Sequence, residues 1–175
     1  MKRIAVLLGL LVVLAGSAFA YGGGGFFRGR SIPFDRYTNL PVDVEIVGGY
    51  GYGANRCGTR HGGFGYVMHE EGTDDLIGAF GGVISGSQLT MGPLTVSLNL
   101  WTGVGYVDPH IVQSRIGVGY LLEANAEAGI AILPWFQIAV YGGMQAIGSF
   151  DARALISSAR YTPVVGTRFT WGGFQ

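Results

Sequence analysis

The chain has 175 residues and no net formal charge, and 49% of it is hydrophobic against only 13% charged. Neutrality gives no electrostatic footprint for a nucleic-acid partner, and a single cysteine rules out an internal disulfide. After residue 20 no segment approaches the roughly 20 consecutive apolar residues of a membrane helix, so the apolar surface needs either a packed core or a closed barrel.

Met1-Lys2-Arg3, an apolar run from Ile4 to Leu14, and Gly16-Ser17-Ala18-Phe19-Ala20 together describe a secretory signal peptide cut before Tyr21. The run is too short for a membrane anchor. Cys57 lies far from the cut, so a lipid anchor at the N-terminus is not expected. Residues 21–40 open on four glycines and show no period, which predicts a flexible leader, with a periplasmic plug or partner segment as the alternative. Residues 41–175 are read as one β-domain.

The first predicted strand, Val42 to Gly53, places Val42, Val44, Ile46, Tyr50 and Tyr52 on one face and Asp43 and Glu45 on the other. Ala54 to His61 is a loop holding Arg56, Cys57 and Arg60. Gly62 to His69 puts Phe64, Tyr66 and Met68 on one face. An acidic turn, Glu70 to Asp75, leads to a glycine-rich strand over Leu76 to Leu89, with Leu76, Phe80 and Ile84 on the apolar face alternating against small residues. Thr90-Met91-Gly92-Pro93 is a tight turn.

The clearest strand follows. In Leu94 to Tyr106, Leu94, Val96, Leu98, Leu100, Val104 and Tyr106 alternate with Thr95, Ser97, Asn99, Trp101, Gly103 and Gly105. The second face is small and polar without charge, although soluble sheets usually charge their solvent face. The apolar face is therefore expected to meet lipid and the polar face to line a barrel. Arg115 to Leu133 keeps one parity throughout, as a single long strand or as two folded near Glu123–Glu127. Phe136 to about Ile147 and Tyr161 to Trp171 complete the set. Strands start just after Pro41, Pro93 and Pro134, where proline suits a strand entry.

Gly-x-Gly-Tyr occurs four times, ending at Tyr52, Tyr66, Tyr106 and Tyr120. Together with Phe169 and Trp171 these tyrosines are expected to form an interfacial aromatic girdle. If all four tyrosines share one rim, Gly62–Leu89 crosses only once; two strands there require otherwise.

A cleaved signal, alternating strands of about ten residues and an aromatic last strand resemble the small bacterial outer-membrane barrels of the OmpA-domain, OmpX or OmpW kind. The resemblance covers residues 42–175 and is architectural. It implies an all-β, antiparallel transmembrane barrel, most simply of eight strands, in the outer membrane. It further implies lipid contact and recognition of the last strand by the outer-membrane assembly machinery. Gly172-Gly173-Phe174-Gln175 departs from the usual terminal phenylalanine by shifting the phase.

His61, His69 and His110 are too scattered for a zinc site, and no cofactor is expected. Gly49 to Gly53 lacks the helix and the Lys-Ser/Thr of a phosphate loop. Ser85 and Ser87 have no nearby His-Asp partners, so no enzyme is expected. Cys57 reads as a free loop thiol or an intermolecular link. Parity turns Asp43, Glu45, Asn99, Arg115, Glu123, Glu127, Gln137 and Arg168 inward, as an ion-pair network or the lining of a small conduit. The expected function is a monomeric barrel with a structural or surface-interaction role. A narrow, porin-like pore or carrier for small solutes is the first alternative, and a soluble secreted barrel binding an apolar ligand the second.

Overall fold

In the computed structural model, described for residues 22–31, 43–55, 57–72, 75–109, 112, 117–151 and 159–173, the alternation of the sequence becomes a closed sheet. Its eight strands are β1 (Gly22–Ser31), β2 (Val44–Ala54), β3 (Thr59–Glu70), β4 (Leu76–Met91), β5 (Leu94–Val107), β6 (Val118–Leu133), β7 (Phe136–Ser149) and β8 (Arg160–Gly172). Each pairs antiparallel with the next, and β8 returns to β1, which leaves no free edge.

The pairing fixes the shape. Stepping sideways from Trp171 on β8, the register runs through Gly24, Gly51, Gly63, Val83, Thr102, Leu122 and Ala146 and re-enters β8 at Tyr161. This ten-residue stagger, at about 3.3 Å per residue and about 4.8 Å between strands, tilts the strands roughly 40° from the barrel axis.

The two ends differ. β1 starts and β8 finishes at the same end, where the connections are the tight turns 55–58, 92–93 and 134–135. Positive φ at Gly58 and Gly92 lets two of these turns close, and Asn55 Oδ1 accepts the backbone N–H of Cys57 and Thr59. The opposite end carries the connections 32–43, 71–75, 108–117 and 150–159. We refer to them as the turn end and the loop end.

Three sequence expectations change. The segment read as a flexible leader contains β1, held by β2 on one side and β8 on the other. Backbone pairing on both sides supplies the order that its side-chain pattern does not advertise. Residues 62–89 lie in two strands, β3 and β4, so Tyr66 and Tyr106 cannot be placed by a shared motif. The long stretch to Leu133 is one strand, β6; Arg115 lies outside the described residues.

Facing also splits the barrel. On β5 to β8 most apolar residues point out and the polar ones in, as expected, while Trp101, Tyr141, Ile147 and Val164 turn inward. On β2 to β4 the faces are reversed: Tyr50, Tyr52, Phe64, Tyr66, Met68 and Phe80 are buried inside. An eight-stranded barrel has an interior just wide enough to be filled by side chains. The large residues of β2 to β4 fill it, and small inward positions opposite, such as Gly103 beside the Phe64 ring, make room.

Candidate functional site: the lumen and the outer wall

From the turn end upward, the lumen is built in three layers. The lowest is polar and buried: Arg60 on β3, Thr95 and Ser97 on β5, Gln137 on β7 and Thr170 on β8. Arg60 Nη1 donates to Ser97 Oγ at 2.6 Å, and its guanidinium lies 3.8 Å from the Tyr52 ring centre.

The middle layer is ionic and aromatic. Arg168 Nη1 pairs with Glu127 Oε2, and Arg60 approaches the other carboxylate oxygen at 3.7 Å. The Arg168 guanidinium is boxed by rings, with centres of Tyr141 at 4.1 Å, Trp101 at 4.5 Å, Tyr50 at 5.7 Å and Phe27 at 5.9 Å. Ring faces carry negative potential, so this box offsets part of the loss of hydration of a buried cation. Asn99 Nδ2 donates to Asn125 Oδ1 at 3.1 Å, and Asn125 Nδ2 donates to Glu123 Oε1 at 2.7 Å. Tyr50 shares a hydrogen bond with Thr170, and Gln145 donates to the Tyr66 hydroxyl.

Towards the loop end the lumen is mixed, with Ser31, Ser149, Arg160 and Thr162 buried beside aliphatic side chains. Val44, Ile46, Met68, Val107, Ile147 and Val164 are buried there, and Val112 of the β5–β6 connection belongs to the same cluster. Polar base, caged ions and a top of mixed aliphatic and polar side chains therefore stack along one axis, with large side chains at each level.

Of the residues assigned inward from the sequence, the structure brings Asn99, Glu123, Glu127, Gln137 and Arg168 into this lumen. Asp43 and Glu45 are not among them. Asp43 is exposed just before β2, and Glu45 stands on the outer wall, paired with Arg28. The reversed facing of β2 is the reason. Arg60 was missed as a loop residue, although it shares parity with Phe64, Tyr66 and Met68. Trp101 sat on the polar parity of β5 and is the largest fully buried side chain.

No protein-family model, curated protein or solved structure matches the chain. What it can do therefore rests on its own geometry.

The outer wall is asymmetric. From Leu76 to Val107 there is no charged residue, and on β6 to β8 the only charged side chains, Glu123, Glu127, Arg160 and Arg168, are all buried. Outward positions there carry exposed Val83, Leu98, Val104, Ile132 and Val140. On β1 and β2, by contrast, Arg28, Arg30 and Glu45 point outward.

Aromatic side chains mark the two rims of the wall. Tyr106, Tyr120 and Tyr161 lie towards the loop end, and Phe136, Phe169 and Trp171 towards the turn end. Tyr161 and Trp171 are ten residues apart on β8, which at this tilt is about 25 Å along the axis. Tyr52 and Tyr66, expected in the same girdle, are 7% and 4% exposed and belong to the lumen. Among the described residues no group of three His, Cys, Asp or Glu side chains is placed to hold a metal ion.

Proposed function

We propose that the chain is a small outer-membrane β-barrel, exported by a cleaved signal peptide, with a structural or surface-interaction role and an occluded lumen. The observation that carries this reading is the inside-out distribution of polarity. Charges of β6 and β8 are buried inside, with Glu127 and Arg168 paired, while the outer wall of β4 to β8 is uncharged between aromatic rims about 25 Å apart, the height of the apolar band in such barrels. A water-soluble protein rarely exposes a contiguous apolar patch larger than a few hundred Å². Short turns at the end holding both barrel termini, with longer connections opposite, add support. The C-terminal strand, with Phe169 and Trp171 outward, suits recognition by the outer-membrane assembly machinery.

The interior favours a structural barrel over a conduit. Its middle is filled by Trp101, Phe27, Phe64 and the caged Arg168, and its loop end is filled by buried aliphatic and polar side chains, Met68, Ile147 and Arg160 among them. The longer connections at the loop end are then the parts offered to the outside, and no catalytic role is assigned to them.

Flotation with lipid vesicles tests the reading. The folded chain is expected to float with the lipid and to migrate differently on gels before and after boiling. A monodisperse, detergent-free soluble chain replaces this reading with that of a secreted barrel.

A further inference from the structure

We propose that the outer wall formed by β1 and β2 is a self-association surface that takes a second copy of this chain. The inference rests on the membrane reading above. Its starting point is that this wall is unsuited to lipid. Arg28 is 73% exposed on the outer face and pairs in register with Thr167. Thr167 lies between Trp171 and Tyr161 on β8, so the charge sits near the middle of the band, where lipid contact is most costly for arginine.

Arg30, Glu45 and Glu71 extend the charge from there towards the loop end, around a groove of about 260 Å³. Arg28 Nε pairs with Glu45, whereas Arg30 reaches Glu71 only at 3.4 Å. Two cations and two anions on one face make the patch self-complementary, which is what a two-fold contact requires.

The glycines of the same wall point the same way. At Gly51 a Cβ would meet nothing within 4 Å, and at Gly49 nothing nearer than 3.5 Å. Packing within the barrel does not demand glycine at either position, although glycine weakens a strand. Bare backbone on an outer wall permits close approach of another wall, and small residues with polar neighbours typify contacts between membrane-embedded elements.

A two-fold axis along the barrel, passing between β1 and β2, lays β1 of each copy on β2 of the other. Phe26, half exposed beside Gly49, then enters the hollow over the partner's glycines, and Arg30 meets the partner's Glu45. Four strands of wall at about 4.8 Å each, over about 25 Å of height, give roughly 480 Å² of facing wall in total, so the contact is small and its specificity rests on the charged pairs.

The test uses the full mature chain, labelled at the exposed Cys57, in vesicles of phosphatidylethanolamine and phosphatidylglycerol. Photobleaching steps are counted across a range of protein-to-lipid ratios. Wild type should bleach in two steps. Gly51→Trp, which adds bulk only outside, should weaken association at least tenfold, while Ala126→Trp on the opposite wall should leave it intact. Arg30→Glu and Glu45→Arg should each weaken association, and their combination should recover it.

Single steps for wild type at every ratio, or two steps for Gly51→Trp over the same range of ratios as wild type, overturn the proposal. A combined charge variant no better than either single overturns the two-fold arrangement. A chain that does not float with the vesicles overturns the membrane reading and this inference together, whereas a floating chain that bleaches in single steps overturns this inference alone.

Discussion

Glu127 on β6 and Arg168 on β8 form an ion pair across the lumen, although β7 separates their strands and both side chains are at most 2% exposed. The pair ties the wall together through its interior, with Arg60 of β3 as a third member. Removing one partner leaves a buried charge uncompensated, which typically costs about 3–5 kcal/mol. Arg168→Met is therefore expected to destabilise the barrel by about that amount. Glu127→Gln should cost at least as much, because two guanidinium groups then face each other. The double variant should lose less than the sum. Urea unfolding in lipid vesicles measures the cycle, and additive losses would show that the two residues act independently.

Glycines on the two faces should respond oppositely to the same change. At Gly143 a Cβ would run into the backbone carbonyl of Ala124 and into Asn125. At Gly81 on the outer wall, nothing lies nearer than 3.6 Å. Gly143→Ala is expected to cost about 1–3 kcal/mol through overpacking. Gly81→Ala should be neutral or stabilise by up to about 1 kcal/mol through a less flexible unfolded chain. Equal losses in unfolding experiments would mean that the lumen is not packed as tightly as described.

The sequence makes the architecture legible in β5 to β8, where a bulky apolar parity faces a polar one. It misleads in β2 to β4. Alternation states which residues share a face but not which face is inside, and the acids Asp43 and Glu45 suggest the wrong one. The bulk of Tyr50, Tyr52, Phe64 and Tyr66 against Gly49, Gly51, Gly63 and Gly65 is the better guide, because a narrow barrel must be filled from within. β1 carried no such signal: Gly22 to Gly25 have no side chains to alternate. The Arg168–Glu127 contact was equally hidden, since partners two strands apart meet only once the stagger is known.

Facing can be read directly with a lipid-soluble probe. In a Cys57→Ser background, cysteines at Val96, Leu98 and Leu100 are expected to label, and those at Ser97 and Asn99 are not. On β4 the sharper contrast is Val83, 60% exposed, against Ile84 at 3%. Val83→Cys should label and Ile84→Cys should not. Labelling at 84 with protection at 83 would restore the facing suggested by the sequence and reject the aromatic filling of the lumen.

Trp101 decides whether the barrel can conduct. Its ring centre lies 4.7 Å from that of Phe64 and 5.2 Å from that of Phe27, with the Arg168 guanidinium 4.5 Å away. These groups come from β1, β3, β5 and β8, so together they bridge the lumen from several sides. Wild type is expected to show no single-channel current in a planar bilayer. Trp101→Ala should cost about 3–5 kcal/mol by leaving a cavity, yet it should remain silent. The buried layer of Val44, Met68, Ile147 and Val164, with Arg160 and Thr162 beside them, lies above it towards the loop end and forms a second filled barrier to ions. Current should therefore need both barriers breached, as in Trp101→Ala combined with Met68→Ser and Ile147→Ser. Discrete conductance steps in wild type would replace the structural reading with that of a narrow pore. Steps in Trp101→Ala alone would show that the aliphatic layer is no barrier.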